Sequence, residues 1–538
     1  MKKFDPTPQK VSAEYQAGVQ FNQGIQLYDC VNVNENFFIG KQWEGVRSNG
    51  LPTPVFNFIR RIVLFLVAST ATDNIKMNAA PLAEGNGRSG AELEQVCAVV
   101  NAQFEALFEE NKLGKLTREL MRNAAVDGDG CLYAWFDPDY ETGQTARGAI
   151  RTEVIENTRV IFGNPNDRQV EEQPYLLLPR RETVEEAARR ARRYGGQPEE
   201  IRPDSDEEGG QFQSWEDGKC TTVLKLWRDG GSGTIHACEC TRTAVVRPAW
   251  DTLQKRYPVV WLPWDYVQDC YHGQAAVTGL IPNQIFVNKM FAMTMISLMT
   301  TAYPKVVYDK TRVAKWDSRV GAAIGVNGGD VGSVARTIDP AAISPQVGQF
   351  IELAVRFTKE FSGATDAALG NVRPDNTSAI IALQKSSSVP LELVKQNFFQ
   401  CIEDLGRIWM DLMRVYYGVR YVREPGRGGE EDKVEPFDFS VLDQLSLSLK
   451  LDVGGSAYWS EIAQMNTLDN LLVQGKISTL DYLERVPNGY ISDQQQLIET
   501  LRAREQGAAA AQGGQCFSFV LGKCIAIDKL TECNPIFG

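Results

Sequence analysis

Four carboxylates stand near one another in the first third of the chain: Asp127 and Asp129 in VDGDG (126–130), and Asp137 and Asp139 in CLYAWFDPD (131–139). Carboxylates so spaced could hold a divalent cation for phosphodiester hydrolysis. Asp and Gly in this arrangement are also what tight turns use, because Asp bonds its own backbone and Gly tolerates positive φ; turns are the stronger reading. Cys238 and Cys240 flank Glu239, a period of two that sets both thiols on one face of a strand. With His236 close by they could begin a metal site, but no second ligand pair follows, and His272 is the only other histidine. The eleven cysteines include no CxxC pair and read better as reduced, buried thiols. Two histidines leave little for general-base chemistry. GVNGGDVGS (325–333) lacks the Gly-Lys-Ser/Thr ending of a phosphate loop, and no GxSxG occurs. These residues assemble no catalytic centre, and no cofactor or metal is expected.

The elements that carry them are those of a multi-unit α+β chain. A length of 538 residues implies two to four structural units. The net charge of −12 argues against tight nucleic-acid binding, although a bore through which DNA slides needs weak adhesion. MKKFDPTPQK has no apolar run of the kind a signal peptide carries. VFNFIRRIVLFLVAS (55–69) and FAMTMISLMTTAY (291–303) both read as buried helices, the second being too short to span a bilayer. Pro52 and Pro54 block an earlier start to the first of these. Residues 8–30 have helical spacing, and 91–124 read as one long helix with a break near Gly114. Strands are expected at 131–139, 148–165, 174–179, 220–265 and 437–455. TVEEAARRARRYGG (183–196) is a helix with a Thr183/Glu186 capping box, early acids, late arginines and a Gly195 stop. A helix over 279–303 presents Met290, Met293, Ile296 and Met299 as an apolar face for core packing. A module of about forty residues (304–343) follows, then a helix over 344–361. The stretch SGATDAALGNVRPDNTSAIIALQKSSS comes next and opens a very long helix (378–418) with Pro390 inside it, where a kink is expected. Short helices occupy 456–505, and GAAAAQGGQ links to an apolar, Cys-containing tail (516–538).

In this order, NENFFIGKQWEGV, LPTPVFNFIRRIV, DGDGCLYAWFDP, YPVVWLPW, HGQAAVTGLIPNQIFVNKM and GATDAALGNVRPDNTSAIIALQ resemble the tailed-bacteriophage portal proteins, over about residues 10–505. No single motif is diagnostic; the order of modules carries the resemblance. It implies a portal-type fold: an αβ wing (1–278), a two-helix stem (279–303 and 344–361) bearing a small α/β clip (304–343), a tunnel loop (362–377), a long kinked spine helix with returning wing strands (378–455), a helical crown (456–505), and a linker and tail (506–538). It implies a twelve-subunit ring at one capsid vertex that passes double-stranded DNA without sequence specificity. The implied partners are the terminase large subunit, major capsid and scaffolding proteins and head–tail adaptor proteins, with no membrane. The implied location is the virion portal vertex, after assembly in the host cytoplasm.

Small residues suit a constriction that must yield. The expected tunnel-loop residues are Gly363, Ala364, Thr365, Asp366, Gly370 and Arg373, with Asp366 and Arg373 the only charges before Asp375. In the clip, Lys305, Lys310, Arg312, Lys315, Trp316 and Arg319 suit either docking of a motor or adaptor, or pairing between subunits. Two other classes remain: another oligomeric virion part (a head–tail adaptor or minor capsid protein), and a metal-dependent phage nuclease.

Overall fold

The computed structural model describes residues 6–71, 75–82, 90–204, 218–302, 305–338 except 318, 320 and 321, 346–364, 391–424, 433–453, 458–486, and 494, 497, 498 and 500–502. The chain divides into two compact units, Met1–Val453 and Gly454–Gly538. It mixes helix and strand, as the α+β reading expects.

The first unit opens with helices α1 (Pro8–Gly24), α2 (Leu27–Ile39) and α3 (Phe58–Thr70). Asn57 caps α3 by accepting from the Arg60 amide (3.1 Å). Ile59, Ile62, Val63, Leu66 and Val67 recur at helical spacing and are all buried, while Leu64 is exposed. The helix therefore buries one face rather than most of its circumference. Strand β1 (Ile75–Pro81) leads to α4 (Gly90–Glu110) and α5 (Leu113–Asp127). The break expected near Gly114 falls at Asn111–Lys112. Lys112 takes a positive φ of 52°, and the Asn111 side chain donates to Leu107 O and Ile150 O instead of facing solvent. The turn expected over 126–130 shrinks to one residue, Gly128, whose φ of 104° joins α5 directly to β2 (Asp129–Asp137). A Cβ there would stand 2.7 Å from the Gly273 carbonyl oxygen, so only glycine fits.

The strands that follow are β3 (Ala149–Ile155), β4 (Ile161–Phe162), β5 (Leu176–Thr183), β6 (Lys219–Arg228), β7 (Ile235–Cys240), β8 (Val245–Asp251) and β9 (Val259–Pro263). Between β3 and β4 a 3-10 turn (Asn157–Arg159) interrupts the continuous strand expected there. Two antiparallel sheets result, in the orders β3-β2-β9 and β4-β5-β6-β7-β8. On the larger sheet, Val223 and Trp227 share one face with Cys238 and Cys240 and pack under Val11, Tyr15 and Val19 of α1. The alternate residues Leu226 and Ala237 pack with Cys131, Val259 and Trp261 of the smaller sheet. Helix α6 (Val184–Tyr194) follows β5 with the expected capping box, both halves of it formed, and Gly195 ends it at φ 76°. Two of its four arginines are partnered: Arg190 with Glu182 and Glu239, and Arg193 with Asp139.

Helix α7 (Ala276–Ala302), strands β10 (Lys305–Tyr308) and β11 (Ala335–Ile338), and helix α8 (Gln346–Phe361) come next. Helix α9 (Glu392–Tyr416) then runs through the main core. Pro390 and residues 378–390 of the expected spine helix lie outside the described residues. Trp409 of α9 is fully buried; its ring meets Phe108 edge-on and its indole N–H donates to Thr152 (3.0 Å). Burial of one such side chain contributes about 1.5–3 kcal/mol. The unit closes with β12 (Val419–Glu424), β13 (Lys433–Asp438) and β14 (Leu447–Val453). The run of strands expected over 437–455 is broken by a 3-10 turn, Phe439–Gln444, which buries Phe439 and Leu442. Strand β14 pairs antiparallel with β1, from Ile75↔Val453 to Pro81↔Leu447. Gly406 of α9 lies against that pair, where a Cβ would come within 2.5 Å of Leu449 and 2.6 Å of the Met77 sulfur.

The second unit contains α10 (Tyr458–Val473) and α11 (Thr479–Arg485). Ser478 and Asp481 form a capping box at α11, and the Tyr482 hydroxyl donates to Asp469 (2.6 Å).

Candidate functional site

The candidate site is the α7–β10–β11–α8 excursion. The sequence of α7 has two halves. In the first, Gln284 and Asn288 fall one helical turn apart within an apolar run, and both are buried. Gln284 donates to Asn288 (3.0 Å) and to Phe56 O (2.8 Å), and Asn288 donates to Gln42 (2.6 Å). A chain of buried amides thus fixes the root of the helix to the body, and each member is satisfied. Asn283 donates to Thr358 of α8 (3.0 Å), so the beginning of α7 meets the end of α8 as in an antiparallel hairpin.

The second half differs from the sequence expectation. Met293 (64% exposed), Met299 (54%) and Leu298 (58%) are not core residues, because no element of the described chain covers them. Phe350 (56%) and Phe361 (83%) of α8 extend the exposed apolar surface. Residues 291–302 are moreover the end of a 27-residue helix, and that helix is long and apolar enough, by length and composition, to cross a membrane. A groove of about 690 Å³ runs between the helices, lined by Phe56, Val287, Phe291 and Leu353 with Arg356 and Lys359 on α8.

Between the helices, β10 and β11 pair from Lys305↔Ile338 to Tyr308↔Ala335. Val313 and Val334 form the buried centre of this small module. Arg312 holds its long loop: the guanidinium donates to Gly328 O (2.6 Å from Nη2), Asp330 O (3.2 Å) and Ser333 Oγ (3.2 Å). The Gly-rich stretch 325–333 therefore spends its carbonyls on an internal arginine. Asp309 accepts from the Thr311 amide and hydroxyl (2.9 and 2.6 Å), and these bonds hold its carboxyl below the usual range. Trp316 is half-buried and stacks on Tyr308 (5.4 Å between ring centroids). Arg319 pairs with Asp317 (2.5 Å). Lys305, Lys310 and Lys315 are exposed. Of the residues expected to form a tunnel loop, Gly363 (φ 74°) and Ala364 are buried just after α8; Thr365, Asp366, Gly370 and Arg373 lie outside the described residues.

The four carboxylates first singled out do not converge. Asp139 pairs with Arg193 on the surface. Asp129 is fully buried and accepts from the Gly273 amide (2.7 Å), while His272 Nδ1 lies 2.7 Å from it. Asp127 faces Arg122 (3.7 Å), which also holds Glu35 (2.5 Å). Burial, and after it the charge of Glu35, pushes the Asp127 carboxyl up to about 8. The Asp129–His272 pair, whose members are 143 residues apart, leaves no sign in the local pattern. Among the described residues, no three His, Cys, Asp or Glu side chains are grouped to hold a metal.

A search of curated proteins finds no match. The family described as Phage P22-like portal protein does match, over residues 184–435, a span that contains α6, the excursion and α9. That family is structural rather than enzymatic, and the matched span, a little under half of the chain, is what this protein shares with phage portal proteins.

Proposed function

We propose that copies of this chain close into a ring at one capsid vertex and form the channel for genome packaging and ejection. In this reading α7 and α8 are the stem, 305–338 the clip, 362–377 the tunnel loop and 456–505 the crown. The observation that carries it is the exposed apolar surface of α7 and α8. A surface of that kind on a folded chain calls for a partner, and a neighbouring copy supplies one through a heterologous contact, as cyclic closure requires. A twelve-fold ring is the number that the portal resemblance implies. The clip at the far end of the hairpin presents Lys305, Lys310 and Lys315 to a terminase motor or an adaptor. Chain charge of −12 suits a bore where DNA must slip, since each phosphate paired with a cation adds affinity through counterion release.

The test is particle mass and negative-stain imaging of the full chain without detergent. A ring with a central hole is expected. Leu298→Glu with Met299→Glu should leave folded monomers, because a charge cannot be buried unpaired. A bilayer would cover the same apolar surface, and the length of α7 favours it as the second reading. Monomers that stay dispersed only in detergent and float with lipid vesicles would replace the ring with that reading.

A further inference from the structure

Strand β7 carries Cys238 and Cys240 on one face, each about 1% exposed. Across the ladder Cys238 is paired with Lys225 and Cys240 with Val223. The Lys225 ammonium is wholly buried, bound by the Glu14 carboxylate of α1 and set over the Tyr175 ring (4.6 Å). Both thiols lie in the same buried cluster, under Val11, Tyr15 and Val19 of α1. A small cavity of about 20 Å³ ends on Cys240. Val11, Tyr15 and Thr241 wall it, and Ser12 and the exposed Arg242 stand at its mouth. Such a volume admits a molecule about the size of water.

We propose that Cys238 and Cys240 form a reversible dithiol switch that a small hydroperoxide reaches through this cavity. The Cys240 thiolate attacks one peroxide oxygen; an S–O bond forms, the O–O bond breaks, and hydroxide leaves as water with the thiol's proton. Cys238 then attacks the Cys240 sulfenic sulfur; an S–S bond forms, the S–O bond breaks, and a second water leaves with the Cys238 proton. The dithiol has lost two electrons and hydrogen peroxide has gained them. Residues two apart on an extended strand have Cα atoms about 6.6 Å apart, near the upper limit for a disulfide. The bond is therefore strained and readily reduced, which makes it reversible rather than structural. The particle would hold it open in reducing cytoplasm and close it outside the cell.

Trypsin releases both residues in one peptide, Asp229–Arg242, with no other cysteine. The full chain is treated with hydrogen peroxide, denatured, and labelled with N-ethylmaleimide. The peptide should lose two hydrogens and take no label, and glutathione added before denaturation should restore both labels. In Cys238→Ser, which removes the resolving thiol, the peptide should stop at one added oxygen. In Cys240→Ser, Cys238 should keep its label. Two labels on the parent peptide, under conditions that oxidise the exposed Cys30, would overturn the proposal. So would a disulfide that glutathione leaves intact.

Discussion

Replacing Asp127 by Asn should stabilise the protein, and by more as pH rises. The carboxyl sits at the C-terminus of α5 with only 13% of its side chain exposed, and beside Glu35. Its pKa is raised from 3.8 to about 8. The folded protein therefore keeps this proton where the unfolded chain has released it. The sign follows: the favourable contribution is complete below pH 3.8 and is lost as pH climbs towards 8. About four pKa units at about 1.4 kcal/mol each set a ceiling near 6 kcal/mol. Arg122 is one-third exposed and solvent reaches the cluster through it, so a gain of about 2 kcal/mol at pH 8 and near zero at pH 4 is the expectation. Asn can still donate to Glu35 and accept from Arg122. The assay is hydrogen exchange in 113–127, with parent and variant compared at each pH so that intrinsic rates cancel, and thermal unfolding in parallel. A gain that is constant across pH, or that grows towards acid, would refute the assignment of a retained proton to Asp127.

Arg312→Ala should free the 325–333 loop, losing about 2 kcal/mol of local stability, since its carbonyl partners are partly solvated. Exchange should quicken in 305–338 while the melting temperature of the body stays put; unchanged exchange there would show that Arg312 does not hold the loop. Gly406→Val should cost about 1–3 kcal/mol by forcing α9 off the β1–β14 pair, read as a lowered melting temperature. Gly363→Val places a branched side chain at φ 74°, costing about 1–2 kcal/mol; exchange at 357–363 should rise, and no change there would mean that the backbone relaxes without strain.

Periodicity and caps made the α6 helix legible, and period two placed Cys238 and Cys240 on one strand face, because these depend on neighbours in sequence. The break near Gly114 was legible, but its position at Asn111–Lys112 was not, because Asn111 is recruited by Ile150 and Thr152 of β3, a contact absent from the local pattern. The Asp129–His272 pair is long-range for the same reason. The methionines of α7 show a different limit. An apolar helix face reads alike whether its own chain or another molecule covers it, and composition cannot tell the two apart. Gln284 and Asn288 did carry a usable signal: two amides one turn apart on an apolar helix mark a buried polar contact.

The pairing of β1 with β14 has a consequence for biosynthesis. The body cannot close until residue 453 has left the ribosome, about 150 residues after α7 is complete. At about 5–20 residues per second, the methionine-rich helix waits roughly 10–30 s before the fold around its root is finished. During that interval every polysome displays several such helices side by side. A chaperone that shields apolar helices, or slow translation of the last third, would then decide how much of the chain reaches assembly rather than aggregate.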